Sequence, residues 1–321
     1  MKALKLRPVG KDYLWGGTRL REEYGKEIPL TPLAETWECS VHPDGESVIV
    51  NGEFAEMTLR EVLMLHPEYM GSKYPSGSEF PILVKFIDAK CDLSVQVHPN
   101  DAYARKYENQ NGKTEMWYVL DADEDASLIY GFEHPVTEQI LRNAVQDGTL
   151  GKHLHKVKVQ KGDVYYVPAG TVHGIGAGTM VAEIQESSNV TYRVYDYDRV
   201  DKDGNKRELH FDKACEVMDM NMVSHKRNSR IVRCNPGYSS EELCCCKYFR
   251  VTKISIVRRF CLNLLKESFQ VLLCIDGTGM LHSDSGSVPV QKGECVFVPA
   301  EDRVDRQFFI DGRLSILLIC C

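Results

Sequence analysis

Two stretches of this sequence repeat one pattern. Residues 161–173 read KGDVYYVPAGTVH and residues 292–304 read KGECVFVPAEDRV. Each sets Lys-Gly and an acidic residue before a run of alternating large residues that ends in Val-Pro-Ala. A strand-like run precedes each copy at some distance, EMWYVLD at 115–121 and QVLLCID at 270–276. A unit of this kind, present twice, implies two copies of one β module. The boundary is expected near 228–240, where Asn235-Pro236-Gly237 and Ser239-Ser240 read as a linker. That divides the chain into residues 1–234 and 235–321. The copies differ in chemistry. Glu115 in the first is Gln270 in the second, and His173 is Val304, so the second module is expected to be structural.

Most of the remaining sequence also reads as short strands, for example 82–87, 93–98, 116–120, 164–167 and 180–185. Turn residues such as Pro43-Asp44-Gly45, Asn51-Gly52 and Pro99-Asn100-Asp101 separate them. Many short strands with frequent turns favour a sandwich or barrel over a parallel sheet. Two stretches break the pattern. Residues 58–66 open with Thr58 and carry Leu59, Val62 and Leu63 at helical spacing, and residues 137–150 open with Thr137 and Glu138. The expected fold class is therefore all-β with small helical insertions, at about 58–70 and 137–151.

The 321 residues are 43% hydrophobic, enough for a packed core, and the net charge of −7 argues against a nucleic-acid partner. An acidic chain of this kind needs a local cluster of Lys and Arg if its substrate is an anion. The N-terminus lacks the apolar segment of a signal peptide, and no run approaches the roughly 20 apolar residues of a membrane helix, so a cytoplasmic location is expected. The twelve cysteines form no C-x-x-C pair and read mostly as small buried apolar residues.

The chemistry concentrates on a few positions. Gln96 and His98 alternate along one predicted strand and share a face, as do Lys113 and Glu115 on the next. His173 follows a turn built by Pro168 and Gly170. Of the four His-Pro pairs, at His42, His66, His98 and His134, only His98 sits in a strand alternation with a second polar group. His98, Glu115 and His173 supply two imidazoles and a carboxylate, the usual three protein ligands of an open catalytic Zn²⁺ site. Gln96 can add an amide oxygen as a fourth. The set equally suits Fe²⁺ or Mn²⁺.

The spacing Gly162-x₅-Pro168-x-Gly170-x₂-His173 is similar to the second cupin motif. FPILVKFIDA at 80–89, LSVQVHPND at 93–101, GKTEMWY at 112–118, VPAGTVH at 167–173 and TYRVYDYDR at 191–199, with Trp15-Gly16-Gly17, resemble type I mannose-6-phosphate isomerases, particularly their short bacterial form. The resemblance runs from about residue 7 to the last strand and is specific through residue 215. It implies a bicupin, two jelly-roll β-barrels of which only the first has metal ligands. It also implies a zinc-dependent aldose–ketose isomerase that interconverts mannose 6-phosphate and fructose 6-phosphate, with one Zn²⁺ per chain on Gln96, His98, Glu115 and His173. Arg193 is implied as the catalytic arginine, and Lys113, Lys85, Ser94 and Trp15 as pocket residues.

The residue types suit that chemistry. Isomerisation moves a proton between C2 and C1 through an enediol or enediolate, and a Lewis acid with a fixed cation stabilises the oxygen charge that develops. Arg193 is a permanent cation whose rigid fork fits that oxyanion or the phosphate. Lys113 is the candidate proton carrier, and Lys85, Lys113 and Arg193 are the local positive charge. One position departs from the family pattern. An acidic residue credited with ring opening usually stands four positions before the arginine, and here it is Asn189, which can bind substrate but cannot act as a base. Two other readings stay open at this point. One is another metal-dependent cupin enzyme, such as an iron-dependent oxygenase. The other is a non-catalytic sugar-phosphate sensor, which Asn189 allows.

Several tempting motifs carry no chemistry. Gly112-Lys113-Thr114 ends like a phosphate loop, but position 107 is Tyr and no helix is expected after it. Gly174, Gly176 and Gly178 read as a flexible loop, the acidic 121–125 run as a hairpin tip, and residues 152–158 as the end of the second helix. Tyr192, Tyr195 and Tyr197 alternate with Arg193 and Asp196, and the pattern does not say which set faces the pocket.

Overall fold

The structure, a computed structural model, describes residues 3–200, 203–222, 230–301 and 308–321. Three antiparallel sheets form layers. The first has five strands in the order Leu154–Lys158, Ser127–Phe132, His173–Ile175, Val95–Val97 and Tyr192–Tyr195. The second has six, in the order Val164–Val167, Glu115–Ala122, Thr179–Glu186, Ile82–Ala89, Glu35–Cys39 and Val9–Lys11. The third collects the strands from Val232–Asn235 to Phe308–Cys320 and adds Leu4–Arg7 and Val48–Ile49 from the N-terminal part.

Strand alternation explains the layering. On one face of the six-stranded sheet, Ile87, Trp117, Val119 and Val181 pack against Leu128, Tyr130 and Ile175 of the five-stranded sheet. On the other face, Val84, Phe86, Met116 and Ala182 meet Val271, Leu273, Phe297 and Leu317 of the third sheet. Ile82–Ala89 is accordingly buried at every position, as a strand covered on both faces must be. In the third sheet Leu272 and Cys274 turn the other way and join Ile254, Val296 and Ile316 in a second core, around which this sheet curls. The chain is an all-β bicupin with small helical insertions.

The repeat is visible in the backbone. Gly162 and Gly293, the glycines of the two Lys-Gly-acid turns, share a φ of 91°, a left-handed conformation that glycine adopts without a Cβ clash. Glu115 and Gln270 open corresponding strands, and Val167 and Val298, opposite them in register, end the strands that pair with these. Val304 lies outside the described residues. So do 228 and 229 of the expected boundary, while Asn235-Pro236-Gly237 is a hairpin turn joining Val232–Asn235 to Tyr238–Cys245 rather than a linker. Sheet pairing also crosses the expected division, since Leu4–Arg7 pairs with Cys295–Val298.

Both predicted helices are present. Leu59–Leu65 starts in a capping box of Thr58 and Glu61, and Glu138–Gln146 starts where Thr137 Oγ1 accepts from the Ile140 amide at 3.3 Å. Three short helices, Arg19–Tyr24, Asp101–Tyr107 and Phe211–Val217, were not expected. Asn100, read as a turn residue, caps the second of these through the Tyr103 amide. Residues 154–158 do not continue a helix. They form a strand with Leu154 turned inward, paired with Ser127–Phe132. Gly174 is likewise in a strand, opposite Ile129, rather than in a loop. The cysteines are also more exposed than expected. All twelve are free, only Cys39, Cys274 and Cys295 are buried, and Cys91, Cys234, Cys245 and Cys261 are exposed. Among the described residues, no helix is long and apolar enough to cross a membrane.

Candidate active site

The two facing sheets of the first module each contribute a row of polar side chains. On the five-stranded sheet, Gln96 pairs in register with His173 on one side and Arg193 on the other. On the six-stranded sheet, Glu183 stands opposite Lys85 on one neighbour and Trp117 on the other, and Gln185 stands opposite Glu115. Between the rows lies a cavity of about 240 Å³, lined among others by Trp15, Lys85, Ser94, Gln96, Lys113, His173, Asn189 and Arg193. These are eight of the ten residues expected at the site. His98 and Glu115 lie against the same cluster, both buried.

His98, Glu115 and His173 bring their ligand atoms within 4.8 Å of one another. His98 Nε2 is 3.4 Å from Glu115 Oε2, and His173 Nε2 is 3.4 Å from Glu115 Oε1. The other ring nitrogens are held by the main chain: His98 Nδ1 lies 2.9 Å from the Val190 carbonyl and His173 Nδ1 lies 2.8 Å from that of Thr171. A carbonyl can only accept, so each Nδ1 carries the proton and each Nε2 lone pair faces the carboxylate. Burial pushes His98 down to about 3 and lowers His173 as well, so both are neutral near pH 7. Burial works to raise the Glu115 carboxyl, but the Lys113 ammonium beside it holds it well below the usual range. Neither oxygen of this fully buried carboxylate has a well-aligned hydrogen bond. An anion with two neutral imidazole lone pairs beside it, in ion-pair contact with Lys113 but without an aligned hydrogen bond, fits a divalent cation.

Two neighbours complete the cluster. Lys113 Nζ is 2.8 Å from Glu115 Oε2 and 3.0 Å from His98 Nε2. Gln96 turns its amide nitrogen toward His173 Nε2, at 3.4 Å, while its oxygen accepts from Ser94 Oγ at 3.1 Å. A hydroxyl can donate or accept, so Ser94 supports either orientation of that amide.

The remaining residues divide differently from the expectation. Lys85 is not a spare cation: it is buried with Glu35 at 3.5 Å and Glu183 at 3.2 Å, and these carboxylates raise it against the opposing effect of burial. Trp37 and Trp117 hold the same two carboxylates through their indole N–H groups, at 2.8 and 3.0 Å. Arg193 NH1 donates to the Glu208 carbonyl at 2.8 Å, and Asn189 donates to Asp44 Oδ2 at 2.8 Å. Tyr192 and Val194 pack in the outer core, which leaves Arg193 to the cleft. Sequence reasoning missed Glu35, Glu183 and Arg207. Glu183 had a signal, since Val181, Glu183 and Gln185 alternate on a recognised strand, whereas Arg207 lies in a loop with no periodicity.

Comparison with known proteins agrees with this geometry. The family model for phosphomannose isomerase type I, catalytic domain, matches residues 3–127, and that for the mannose-6-phosphate isomerase cupin domain matches residues 240–321. A mannose-6-phosphate isomerase of Bacillus subtilis is 38% identical over 297 residues, 92% of each chain. One of Streptococcus mutans is 47% identical over 205 residues, 64% of each. The crystal structure of a Bacillus subtilis mannose 6-phosphate isomerase superposes with a TM-score of 0.92 at 36% identity, covering 99% of both chains. Phosphomannose isomerase from Salmonella typhimurium shares the fold, with a TM-score of 0.79 at 16% identity over 99% of both chains. With its ligand cluster, cleft and full-length likeness all in agreement, this chain belongs to the type I mannose-6-phosphate isomerase family of enzymes.

Proposed function

We propose that the enzyme interconverts mannose 6-phosphate and fructose 6-phosphate with one Zn²⁺ held by His98, Glu115 and His173, and with the Gln96 amide oxygen as a further ligand. The observation that carries this reading is the buried Glu115 carboxylate, without an aligned hydrogen bond, between two neutral imidazoles at the cleft. When bound, the metal supplies Lewis acidity toward the oxygens on C1 and C2. The chain's own residues do the rest. Arg193 offers a permanent charge to the enediolate oxygen. Lys113, at the ligand cluster and on the cleft wall, is assigned the transfer of the proton between C2 and C1. Lys85, fixed between Glu35 and Glu183, can donate to a sugar hydroxyl, and Ser94, Trp15 and Asn189 shape the cleft. Asn189 donates to Asp44 and has no basic atom, so it binds substrate rather than opening the ring. The catalytic assembly is proposed to be residues 1–234, with 235–321 as a support whose Gln270 replaces the metal-binding carboxylate. The paired cations, the cleft and the family together favour an isomerase over a sensor or an oxygenase.

The test is direct. Purified zinc-loaded protein given mannose 6-phosphate should yield fructose 6-phosphate, and the reverse reaction should run from fructose 6-phosphate. Binding without conversion would favour the sensor, and oxygen uptake would favour the oxygenase.

A further inference from the structure

The charges around the cleft do not balance locally. At the floor, Lys85 has Glu35 and Glu183, and Lys113 has Glu115. At the wall stand Arg193, Arg199 and Arg207, and Arg199 and Arg207 bond one carboxylate, Asp196. Asp196 is 5% exposed and takes a two-point contact from Arg207, with Nε at 2.7 Å, and a further bond from Arg199. Glu208 contributes only its main-chain carbonyl to Arg193, with its side chain 82% exposed. Arg199 is turned away, its NH1 donating to the Asp92 carbonyl, and does not line the cavity, whereas Arg193 and Arg207 do.

From this arrangement we infer that Arg207 is the phosphate-binding residue of the cleft, with Asp196 as its positioning residue, leaving Arg193 for the reacting end of the sugar. The inference rests on the isomerase reading and adds to it the place and partner of the phosphate. Asp196 occupies one edge of the Arg207 guanidinium, and the other edge has no hydrogen bond to any described residue. A guanidinium so held presents a preformed fork, the geometry that suits a phosphate. Arg193 Nε is buried without a partner, and its guanidinium is lowered first by burial and then by repulsion from Arg207. A phosphate, carrying nearly two negative charges at neutral pH, relieves that repulsion. The order of groups also fits. Gln96 pairs in register with Arg193 on the neighbouring strand, one strand spacing or roughly 5 Å away, which puts Arg193 beside the ligand cluster and leaves the phosphate to Arg207.

The experiment compares zinc-loaded wild type with Arg207→Gln and Asp196→Asn, using mannose 6-phosphate and mannose as substrates and inorganic phosphate as a competitive inhibitor. Arg207→Gln is expected to raise KM for mannose 6-phosphate and the phosphate inhibition constant about tenfold or more, with kcat within about threefold of wild type. The preference for phosphorylated over free hexose should fall by about the same factor. Asp196→Asn should move the same constants in the same direction by less. Arg207→Lys, which keeps the charge and loses the fork, should fall between wild type and Arg207→Gln and covers the case in which Gln does not fold. Unchanged KM and phosphate inhibition would overturn the assignment, as would a loss confined to kcat. If wild type shows no isomerase activity, the functional reading fails instead. Calorimetric phosphate binding to wild type, weakened in Arg207→Gln, would then support the anion site independently, and equal binding to both would overturn it.

Discussion

Glu115 has two imidazole nitrogens at 3.4 Å and an ammonium at 2.8 Å, yet no aligned hydrogen bond, while Arg193 on the facing sheet has a buried Nε with no hydrogen bond. In the proposed function these two residues divide the chemistry, one to hold the metal and the other to stabilise oxygen charge. Arg193→Ala should therefore lower kcat by about 10²–10³-fold, the usual cost of removing one donor to a developing oxyanion, and leave metal content at one per chain. Metal analysis beside steady-state kinetics checks this, and loss of metal from the variant would count against the division. The cluster of His98, Glu115 and His173 was legible in the sequence because i, i+2 spacing on strands fixes which side chains share a face. The pairing state of the cations was not. Lys85 looks identical in sequence whether it is free or flanked by Glu35 and Glu183, whose positions come from other strands.

The strand Thr179–Glu186 shows how an element places the site. Its inward face carries Val181, Glu183 and Gln185, and it ends at Glu186, whose Oε1 accepts from the Thr114 amide at 2.7 Å. Thr114 lies between Lys113 and Glu115, so this bond anchors the start of the ligand-bearing strand. Burial, with Asp101 adding to it, pushes the Glu186 carboxyl up to about 8. A carboxyl raised in the folded state binds its proton more tightly there than in the unfolded chain. It therefore adds stability that is full below about 4.5 and is lost as pH rises toward about 8. Melting temperature should fall across that window, and Glu186→Gln, which keeps the acceptor and removes the ionisation, should flatten the decline. An equally steep profile in the variant would place the titration elsewhere. At this scale the long strands and two of the three self-capped helices were readable from local pattern. The helix Arg19–Tyr24 was not, since its first amide is met by Asp88 Oδ2 at 2.9 Å, 69 residues away, and no local signal marks such a cap.

Across the whole molecule the two modules share a core instead of meeting through a linker. Phe269 stacks on Phe80 at 4.9 Å and on Phe297 at 5.2 Å, and it is fully buried where the six-stranded and third sheets meet. The sequence repeat revealed two modules but not this fusion, because Leu4–Arg7 pairs across almost the whole chain with Cys295–Val298. A common core predicts a single cooperative unfolding transition, with Phe269→Ala lowering stability by about 3–5 kcal/mol in both halves at once. Two separate calorimetric transitions would show that the modules are independent. The second module, in which no metal-ligand cluster occurs among the described residues, covers the back of the sheet that carries Glu115, Lys85 and Glu183. In the proposed function one metal, held by His98, Glu115 and His173, makes this cleft an isomerase. The most direct measurement is a zinc titration of chelator-stripped protein, following the rate at which mannose 6-phosphate becomes fructose 6-phosphate. The rate should be near zero without metal, rise in proportion to zinc and level at one ion per chain, with no such rise in His173→Ala. Full activity in the stripped protein, or an unaltered titration in His173→Ala, would contradict it.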